Sequence, residues 1–443
     1  MSPTDPRQAD VAVVGAGPAG STVAAYLARA GLDVVVLEKS AFPREKVCGD
    51  GITPRGVKEL VSLGVAHPES DGWIRNKGLR LVGHDRSIEI DWPDITGVPS
   101  YGLVRPRQDF DEVLARHAAH HGATVLERHS VTSPVVDDAT GRVSGVTAAV
   151  LDERGRKTGE TLTVNAPVVI AADGNSSRLG LAIGLPKRDD RPLGVAVRTY
   201  YTSPRTHDDY LESWLELWDG EPKRSNQLPG YGWIFGVGDG TSNVGLGILS
   251  TSKAFGKVDY RDLLLKWLAT LPEQWQFTPE FQVGEIRGAA LPMGFNRTPH
   301  YHHGVLLVGD AGGMVNPFNG EGIAYAMASS RIAAEVVLQA MAKDDAARER
   351  ALATYRQAVA AELSSYYALG RIFVRLIGNP RFMAAITRIG MPRPMVMRFA
   401  VKLLANVYEA RGGDVLDRLV ALMTRVVPGR TDLTAGPAAR VRA

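Results

Sequence analysis

A glycine-rich hexapeptide, Gly15-Ala16-Gly17-Pro18-Ala19-Gly20, is the strongest indication of the fold. It follows an apolar segment, Asp10 to Val14, which predicts a buried strand, and it opens a segment of helical composition. A second apolar segment, Val34 to Leu37, ends in Glu38. In such a β-α-β unit the first glycine makes the tight turn, the second lets a pyrophosphate approach the backbone, and the third lets helix and strand pack closely. The helix N-terminus offers N–H groups to the anion and Glu38 can hold a ribose hydroxyl, so the sequence predicts a dinucleotide site.

Two more signals of this kind follow buried strands further along the chain. Asp173-Gly174 follows the apolar segment Val168 to Ala171, and Gly309-Asp310 follows Val305 to Val308. Gly320 and Gly322 then precede a helical segment that begins at Ile323. A carboxylate at a strand end can bind a ribose hydroxyl, and the positive end of the helix suits a reduced, anionic cofactor. Either Asp alone is more often a turn residue, but three strand-end signals in this order indicate one site.

The rest of the chain divides into three kinds of segment. Asp109 to His121 predicts a helix, and Val143 to Leu151 with Thr161 to Val164 predicts a β-hairpin. From Leu193 to Phe281, aromatic residues, alternation and turns predict an antiparallel sheet. Everything after Ala347 has helical composition.

The length and the charge of the chain limit the classes of function it can have. The chain has 443 residues, enough for two or three domains, and a formal net charge of +3, which gives no indication of nucleic-acid binding. The segment from Arg371 to Arg430 nevertheless contains eleven Lys and Arg against three acidic residues, and it carries many large apolar side chains. Such a combination fits a helix that lies on an anionic bilayer, although it also fits a solvated helical face.

The compartment is also predicted from composition. Cys48 is the only cysteine, which fits a reducing cytoplasm, and the short polar N-terminus indicates no signal peptide. No apolar run approaches the ~20 residues needed to span a bilayer. We therefore expect a cytoplasmic protein that is peripheral on the inner face of the cell membrane. We expect no metal site, because His302-His303 lacks further ligands at suitable spacing.

The ordered motifs resemble those of the p-hydroxybenzoate hydroxylase superfamily of flavoproteins. Gly15 to Gly20 resembles its FAD-phosphate fingerprint, Asp173-Gly174 its D-G motif and Gly309-Asp310 its G-D motif, and Arg107 resembles the arginine ahead of a helix near FAD. The resemblance implies a mixed α/β fold with a Rossmann-like FAD-binding domain, an antiparallel-sheet substrate domain and a C-terminal helical region. We place the FAD-binding domain at 1–75, 104–190 and 285–365, the substrate domain at 76–103 and 191–284, and the helical region at 366–443.

Within that superfamily the chain is similar to the geranylgeranyl reductase family. Phe42-Pro43-Arg44-Glu45-Lys46-Val47-Cys48-Gly49-Asp50-Gly51 is similar to the family's segment beside the flavin. Tyr231-Gly232-Trp233-Ile234-Phe235 is similar to its Y-x-W-x-F-P substrate motif, with Gly236 in place of the proline. The resemblance implies FAD as cofactor. The residues it implies for FAD binding are Gly15, Ala16, Gly17, Ala19, Gly20, Glu38, Lys39, Arg44, Cys48, Gly49, Asp50, Arg107, Asp173, Gly174, Gly309, Asp310, Gly320, Gly322 and Ile323.

The activity implied is reduction of a C=C bond in an isoprenoid chain, by hydride transfer from reduced FAD and addition of a proton. The likeness is greatest to members that act on one isoprene unit of the menaquinone tail. It implies Tyr231, Trp233 and Phe235 as substrate-binding residues and Cys48, Tyr231 and Trp233 as catalytic residues. Cys48 and Tyr231 are alternative proton donors, with ordinary pKa values near 8.5 and 10. These residues also fit purely structural roles, in which Cys48 is a buried inert thiol and the aromatic residues belong to the hydrophobic core.

Other functions on this fold remain as alternatives. They are reduction of geranylgeranyl diphosphate or a geranylgeranyl lipid, flavin-dependent monooxygenation or halogenation, and prenyl binding by a flavin-free escort protein. The halogenase motif W-x-W-x-I-P is not found, and the intact flavin motifs argue against an escort protein. The expected partners are a polyprenyl lipid, an anionic membrane surface and an electron donor, which is either NAD(P)H or a ferredoxin-like protein.

Overall fold

A computed structural model describes residues 6–252, 255–427 and 429. The strands in this part of the chain are β1 (Arg7–Gln8), β2 (Val11–Val14), β3 (Val34–Leu37), β4 (Gly51–Ile52), β5 (Ile74–Asn76), β6 (Gly78–Gly83), β7 (Arg86–Asp91), β8 (Gly102–Val104), β9 (Thr124–Leu126), β10 (His129–Val136), β11 (Val143–Leu151), β12 (Lys157–Asn165), β13 (Val168–Ala171), β14 (Leu193–Thr202), β15 (Tyr210–Trp214), β16 (Leu217–Trp218), β17 (Gln227–Leu228), β18 (Gly230–Gly236), β19 (Thr241–Leu249), β20 (Gln282–Pro292), β21 (Tyr301–His302) and β22 (Val305–Leu307).

The helices are α1 (Pro18–Arg29), α2 (Pro54–Leu63), α3 (Arg107–His120), α4 (Arg178–Ala182), α5 (Tyr260–Leu268), α6 (Ile323–Met341), α7 (Asp345–Ala353), α8 (Tyr355–Ile377), α9 (Pro380–Ala385), α10 (Pro394–Leu404) and α11 (Val415–Val426). A π-helical segment, Ile386–Gly390, follows α9. The helices predicted at the start, in the middle and at the C-terminal end are thus all present.

A six-stranded sheet in the order β21-β22-β13-β2-β3-β9 organises the first domain. The five strands from β22 to β9 are parallel, and β2, β3 and β13 are fully buried. Burial on both faces explains why these strands are continuous apolar runs and do not alternate. Their carboxyl ends lie at one edge of the sheet, so the three strand-end motifs meet there, as predicted.

A seven-stranded sheet in the order β20-β14-β19-β18-β15-β6-β7 forms the second domain. Its pairings are antiparallel except for β15 with β6. The predicted hairpin is β11 with β12, which belongs to a separate four-stranded sheet with β10 and β1. The predicted mixed α/β architecture is therefore confirmed.

Two of the predicted domain boundaries need correction. The boundary at 284/285 falls inside β20, which pairs with β14 as far as Pro292, so the second domain extends to that residue. The boundary at 365/366 falls inside α8, a continuous helix of 23 residues. Side chains of α8, α10 and α11 share a hydrophobic core with the parallel-sheet domain. The C-terminal helices therefore pack on the FAD-binding domain, and residues of α10 also share a hydrophobic core with β6 and β7 of the second domain.

The C-terminal helices have recognisable start signals. Pro380 and Pro394 stand at the first positions of α9 and α10, where proline lacks only an N–H that would be unpaired in any case. Asp414 and Asp417 form a reciprocal capping box at the start of α11. In the described part of the chain, no helix combines the length and apolar character needed to cross a membrane.

Candidate active site

The three glycines of the first turn have different tasks. At Gly15, φ is +100°, and an added Cβ would lie 2.5 Å from the carbonyl oxygen of Ala172. At Gly20 a Cβ would lie 1.8 Å from the carbonyl oxygen of Gly15, so this glycine lets α1 pack against the turn. At Gly17 the nearest atom is Nη2 of Arg44, 3.6 Å from such a Cβ. A Cβ at Gly17 would thus meet only ordinary van der Waals contacts, and Gly17 lines the cavity, so the backbone is accessible to a ligand at this position. The tight turn at Gly15 and the close packing at Gly20 are as predicted, and the approach of a pyrophosphate to Gly17 stays a prediction.

Glu38 and Arg44 form the polar wall beside this turn. The buried carboxylate of Glu38 accepts hydrogen bonds from the backbone N–H of Ala16 at 2.9 Å and of Ser40 at 3.0 Å. Arg44 lies 3.4 Å from Glu38 and 2.9 Å from Asp111. These contacts hold the guanidinium of Arg44 next to the open position at Gly17, where it can neutralise a phosphate.

Arg107, at the start of α3, is anchored at the same place. Its guanidinium makes two hydrogen bonds to Asp111, of 2.7 and 2.9 Å. While it makes this bidentate pair, Arg107 also lines the same cavity as Gly17. Asp111 is fully buried between two arginines, and no sequence signal distinguished it from other acidic helix residues.

Two helix N-termini and two carboxylates complete the polar end of the cavity. Helices α1 and α6 begin after Gly17 and Gly322 without a side-chain cap, so their first N–H groups are available to a ligand. Asp173 accepts a hydrogen bond from the N–H of Leu179 through one oxygen, while its other oxygen is buried and has no partner among the described residues. Burial raises the pKa of Asp173 and of Asp310.

These observations fit FAD. An open glycine cradle, two uncapped helix N-termini, buried arginines and an unpartnered carboxylate oxygen are the groups that bind a pyrophosphate, ribose hydroxyls and a flavin ring. The predicted cofactor residues that line the cavity are Gly15, Gly17, Ala19, Glu38, Lys39, Arg44, Cys48, Gly49, Arg107, Asp173, Gly174, Asp310, Gly320, Gly322 and Ile323. FAD is the cofactor that this end of the cavity accommodates.

Four predicted cofactor residues lie behind the cavity wall. Ala16 holds Glu38 through its N–H, Gly20 packs α1, and Gly309 adopts a φ of +56° and donates its N–H to Ser329. Asp50 is completely buried. These residues shape the site from behind its wall. The sequence motifs gave their positions in the chain but not their exposure to the cavity.

The surroundings of Asp50 correct its assignment. Its carboxylate accepts hydrogen bonds from Tyr200 and Asn243, both of 2.6 Å, and from the N–H of Arg107 at 3.0 Å. Burial raises its pKa to about 6 in spite of these donors. Asp50, with a φ of +65°, therefore positions the loop before it and does not line the described cavity.

The Cys48 loop is fixed to the second domain by Arg198 of β14. This buried guanidinium pairs with Glu45 at 2.7 Å and donates to the carbonyl oxygens of Lys46 and Cys48. The N–H of Asp50 donates to Sγ of Cys48 over 3.4 Å. Arg198 and Asn243 were missed at the sequence level because they lie about 150 and 195 residues from the loop.

Tyr231, Trp233 and Phe235 line the cavity from β18, as predicted for the substrate wall. Their rings follow one another at centroid distances of 6.1 and 6.5 Å. Nε1 of Trp233 donates to Asn243 at 2.9 Å. A Cβ at Gly49 would lie 3.0 Å from Phe235, so the Cys48 loop packs directly on the aromatic residues.

Gly236, the departure from the family's proline, has a steric cause. A Cβ at this position would lie 2.5 Å from the carbonyl oxygen of Thr206 and 2.7 Å from that of Arg205. The strand nevertheless continues through Gly236, which pairs with Ser242. The loss of the proline therefore leaves the aromatic wall intact.

Beyond the aromatic wall the same cavity is apolar and extends to the C-terminal helices. Its volume is about 730 Å³. The side chains at this end are Leu79, Leu81, Leu211, Leu215, Phe373, Ile377, Phe382, Met383, Ile386, Val396, Phe399 and Ala400. An apolar extension of this kind can accommodate a hydrocarbon chain.

The two predicted proton donors both border the cavity. Burial raises the pKa of Cys48 and, with the neighbouring Glu321, raises the pKa of Tyr231 above its ordinary value of 10. Oη of Tyr231 donates to the carbonyl oxygen of Asn319 at 2.6 Å. Thr53 and Glu321 were not predicted as site residues, although both border the cavity.

His302 and His303 lie at the turn between β21 and β22, outside this cavity. Burial lowers the pKa of His302. Among the described residues, no group of three or more His, Cys, Asp or Glu side chains is arranged to hold a metal ion.

Comparisons with known proteins agree with this geometry. The FAD binding domain family matches residues 8–222. A menaquinone reductase of Mycolicibacterium smegmatis is 37% identical over 93% of this chain and 95% of that protein. A digeranylgeranylglycerophospholipid reductase of Methanocella arvoryzae is 30% identical over 94% of this chain and 99% of that protein.

Among solved structures, a geranylgeranyl bacteriochlorophyll reductase-like protein of Thermoplasma acidophilum superimposes with a TM-score of 0.73. The match covers 91% of this chain and 98% of that one, at 23% identity, and it shows the shared fold. Together with the sequence relatives, it establishes that the chain belongs to the geranylgeranyl reductase family, the FAD-dependent oxidoreductases that reduce carbon–carbon double bonds of isoprenoid chains.

Proposed function

We propose that this enzyme saturates a double bond in the isoprenoid tail of a menaquinone. The observation that carries the proposal is the continuous cavity, which is polar at Gly17, aromatic at Tyr231 and Trp233, and apolar as far as Phe399 and Ala400. A polyprenyl tail offers no polar handle, so its position is set by apolar contacts along its length. The menaquinone reductases at 36–37% identity favour this tail over a geranylgeranyl lipid.

The residues of the chain have separate tasks in this reaction. Reduced FAD supplies the hydride equivalent. Tyr231, Trp233 and Phe235 hold the reacting double bond, while Arg44, Arg107 and the N-termini of α1 and α6 hold the cofactor. Asp50 and Arg198 hold the Cys48 loop against the aromatic wall.

The electron donor is proposed to bind transiently. The sequence has one dinucleotide fingerprint, Gly15 to Gly20, and the polar end of the cavity is the place of FAD. The donor is therefore either NAD(P)H, which would visit the flavin briefly, or a ferredoxin-like protein. Anaerobic flavin bleaching by each donor separates the two.

The test of the substrate is a single turnover. The enzyme is reduced anaerobically with dithionite and mixed with menaquinones, geranylgeranyl diphosphate and a geranylgeranyl lipid. We expect reoxidation of the flavin and, after air has returned the quinone head group to its oxidised form, a product still heavier by two hydrogens with the menaquinones. Reoxidation only by the diphosphate or the glycerolipid would overturn the menaquinone assignment.

A cavity-shortening variant tests the position of the tail. Ala400→Trp places a large side chain in the apolar end, so long tails should be reduced much more slowly while a short isoprenoid is reduced as before. Ala384→Trp is the matched control, because Ala384 is exposed on α9 and does not line the cavity. Equal effects on long and short tails would contradict this path.

We further propose that the enzyme works from the cytoplasmic face of the cell membrane, with the C-terminal helices on the lipid. Val396 and Phe399 line the cavity from α10, and Ile389 and Met395 nearby are 56% and 71% exposed. Among them, Arg388, Arg393 and Arg398 are exposed. Exposed apolar side chains beside arginines complement an anionic bilayer, and the same helices border the cavity that the tail must enter.

One basic residue of this segment does not belong to that surface. Lys402 is buried and pairs with Asp414 at 2.9 Å and with Asp417 at 2.8 Å. It joins α10 to α11, so its positive charge is neutralised within the fold. The bilayer-facing charge is therefore smaller than the count of basic residues in the sequence suggests.

A further inference from the structure

Glu321 occupies a distinctive place in the cavity, immediately before α6. Its Oε1 accepts a hydrogen bond from Oγ1 of Thr53 at 2.7 Å. Its Oε2 is inaccessible to solvent and has no hydrogen-bond partner among the described residues. Glu321, Thr53 and Tyr231 all line the cavity, and Glu321 interacts electrostatically with Tyr231, so its carboxyl group borders the part of the cavity that carries the aromatic wall.

We propose that Glu321 is the general acid that protonates the isoprenoid double bond, with Thr53 as its positioning residue. This inference rests on the proposed reduction of an isoprenoid tail. Thr53 stands at the start of α2, where its hydroxyl makes no capping hydrogen bond and instead donates to Glu321. Oε1 is thereby held in place, and Oε2 is the oxygen that carries the transferable proton.

The charged and titratable groups around Glu321 favour this role. Burial raises its pKa to about 7, while Thr53 and the guanidinium of Arg55 act in the opposite direction. The other titratable groups that interact with it are Tyr231, Tyr325 and Tyr367. An acid with a pKa near the working pH is substantially protonated before the reaction, and Arg55 stabilises the carboxylate that forms afterwards.

Glu321 is a better donor than the two groups predicted from sequence. The proton of Tyr231 is engaged by the carbonyl oxygen of Asn319, and burial disfavours the phenolate. Burial likewise disfavours the thiolate of Cys48. Loss of the proton from Tyr231 would leave a buried phenolate next to Glu321, whereas the carboxylate of Glu321 is stabilised by Thr53 and Arg55.

The step balances as follows. The π bond of the alkene breaks, one carbon receives the hydride equivalent with its two electrons, and the other carbon receives the proton from Oε2. The O–H bond of Glu321 breaks, which leaves its carboxylate, and a proton from water restores the acid before the next turnover. The alkene is reduced by two electrons and the reduced cofactor is oxidised by two.

The test compares Glu321→Gln with Glu335→Gln, an exposed position on α6 that serves as the matched control. In a single turnover of dithionite-reduced enzyme, Glu321→Gln should slow alkene reduction on the order of 10²-fold or more. Flavin content, dithionite reduction and binding of the lipid should stay as in the parent. Glu335→Gln should match the parent throughout.

The pH profile distinguishes an acid from a merely structural residue. The parent rate should be highest below about pH 7 and fall as the pH rises through that value, because only protonated Glu321 can donate. Glu321→Gln should lack this decline, Thr53→Val should shift it, and Cys48→Ala and Tyr231→Phe should retain it. An unchanged rate and profile in Glu321→Gln would overturn the assignment.

Infrared titration separates this inference from the proposed function. In an Asp50→Asn background, which removes the other buried carboxyl that titrates near this range, a protonated carboxyl band should disappear near neutral pH, and adding Glu321→Gln should remove that band. If the parent reduces no isoprenoid, the proposed substrate class is wrong, and Glu321 is then judged on this band alone. An Asp50→Asn protein without a band that titrates near neutral pH would overturn the role of Glu321 as an acid.

Discussion

Tyr231 of β18 donates a hydrogen bond of 2.6 Å from Oη to the backbone carbonyl oxygen of Asn319. The two residues are 88 positions apart and belong to different domains. The bond ties the aromatic wall to the loop that leads into α6, so the substrate side and the cofactor side of the cavity are held in one arrangement.

Removal of this bond should loosen that arrangement. Tyr231→Phe leaves a buried carbonyl without its partner, and we expect a loss of stability on the order of 1 kcal/mol. The KM for the isoprenoid should rise while flavin content is retained. Tyr210→Phe is the control, since Tyr210 donates a bond of 2.8 Å to Asp91 on the exposed sheet surface. Equal losses in the two variants would show that the link to Asn319 has no special importance.

FAD binding should depend on Gly17, whereas folding of the chain should not. A valine at this position meets only ordinary contacts, the nearest at 3.6 Å, but it fills the space where the pyrophosphate approaches. Purified Gly17→Val should therefore be nearly colourless and keep a far-UV spectrum like that of the flavin-stripped parent. In contrast, Gly20→Ala should fold poorly, since its Cβ would lie 1.8 Å from a carbonyl oxygen. A yellow Gly17→Val protein with normal flavin occupancy would refute the placement of FAD.

The pH dependence of stability should reveal the buried carboxyl of Asp50. Its pKa is about 6 in the folded chain against an ordinary value of 3.8, so the folded state binds the proton more tightly. The cost of the ionised form is fully present above about pH 6 and is relieved as the pH falls below it, by about 1.4 kcal/mol for each pH unit. As the pH falls from about 6 towards 3.8, we expect the thermal midpoint of the parent to rise relative to that of Asp50→Asn. Parallel curves for the two proteins would contradict the burial of an ionisable Asp50.

Cys48 should behave as a slow, protected thiol. Because burial raises its pKa, little thiolate is present near neutral pH, and thiolate is the reactive form. Alkylation by iodoacetamide should be slower than that of free cysteine, should accelerate as the pH rises, and should slow further when lipid fills the cavity. As the only cysteine, it gives one mass increment, and urea-unfolded protein provides the rapid reference. Fast labelling that is independent of pH near neutrality would indicate a thiolate instead.

Membrane binding should depend on three arginines. Charge reversal of Arg388, Arg393 and Arg398 to Glu should weaken sedimentation with anionic vesicles, by about 1 kcal/mol or more for each residue near the surface. Added salt should weaken the parent's binding as well, because the attraction is screened. Reduction of a short, soluble isoprenoid should be unaffected.

The control for this variant reverses Arg154, Arg156 and Lys157, which are exposed at the turn between β11 and β12. This variant carries the same change in net charge on a different sheet, so it should sediment like the parent. If both variants bind anionic vesicles as well as the parent does, the C-terminal helices are not the docking face.

The parallel-sheet domain and the polar end of the site could be predicted from the amino-acid sequence. The glycines at 15, 17 and 20, the buried runs of β2 and β3 and the carboxylate of Glu38 lie within 28 residues of one another. Their roles follow from local geometry, namely a turn, a helix start and a strand end, and these are properties of a short stretch of chain. The aromatic wall could be predicted for the same reason, since alternation along β18 places its three rings on one face.

In contrast, the pairing and burial of the charged residues could not be predicted without the three-dimensional arrangement of the chain. Thr53 meets Glu321 across 268 positions, and Asp50 meets Tyr200 across 150. Lys402 is removed from the surface by Asp414 and Asp417, which precede and begin α11. The sequence shows that these side chains can ionise, but the free energy of ionisation depends on desolvation and on neighbours in space. Those neighbours are brought together by the packing of two sheets and the C-terminal helices, which no local pattern records.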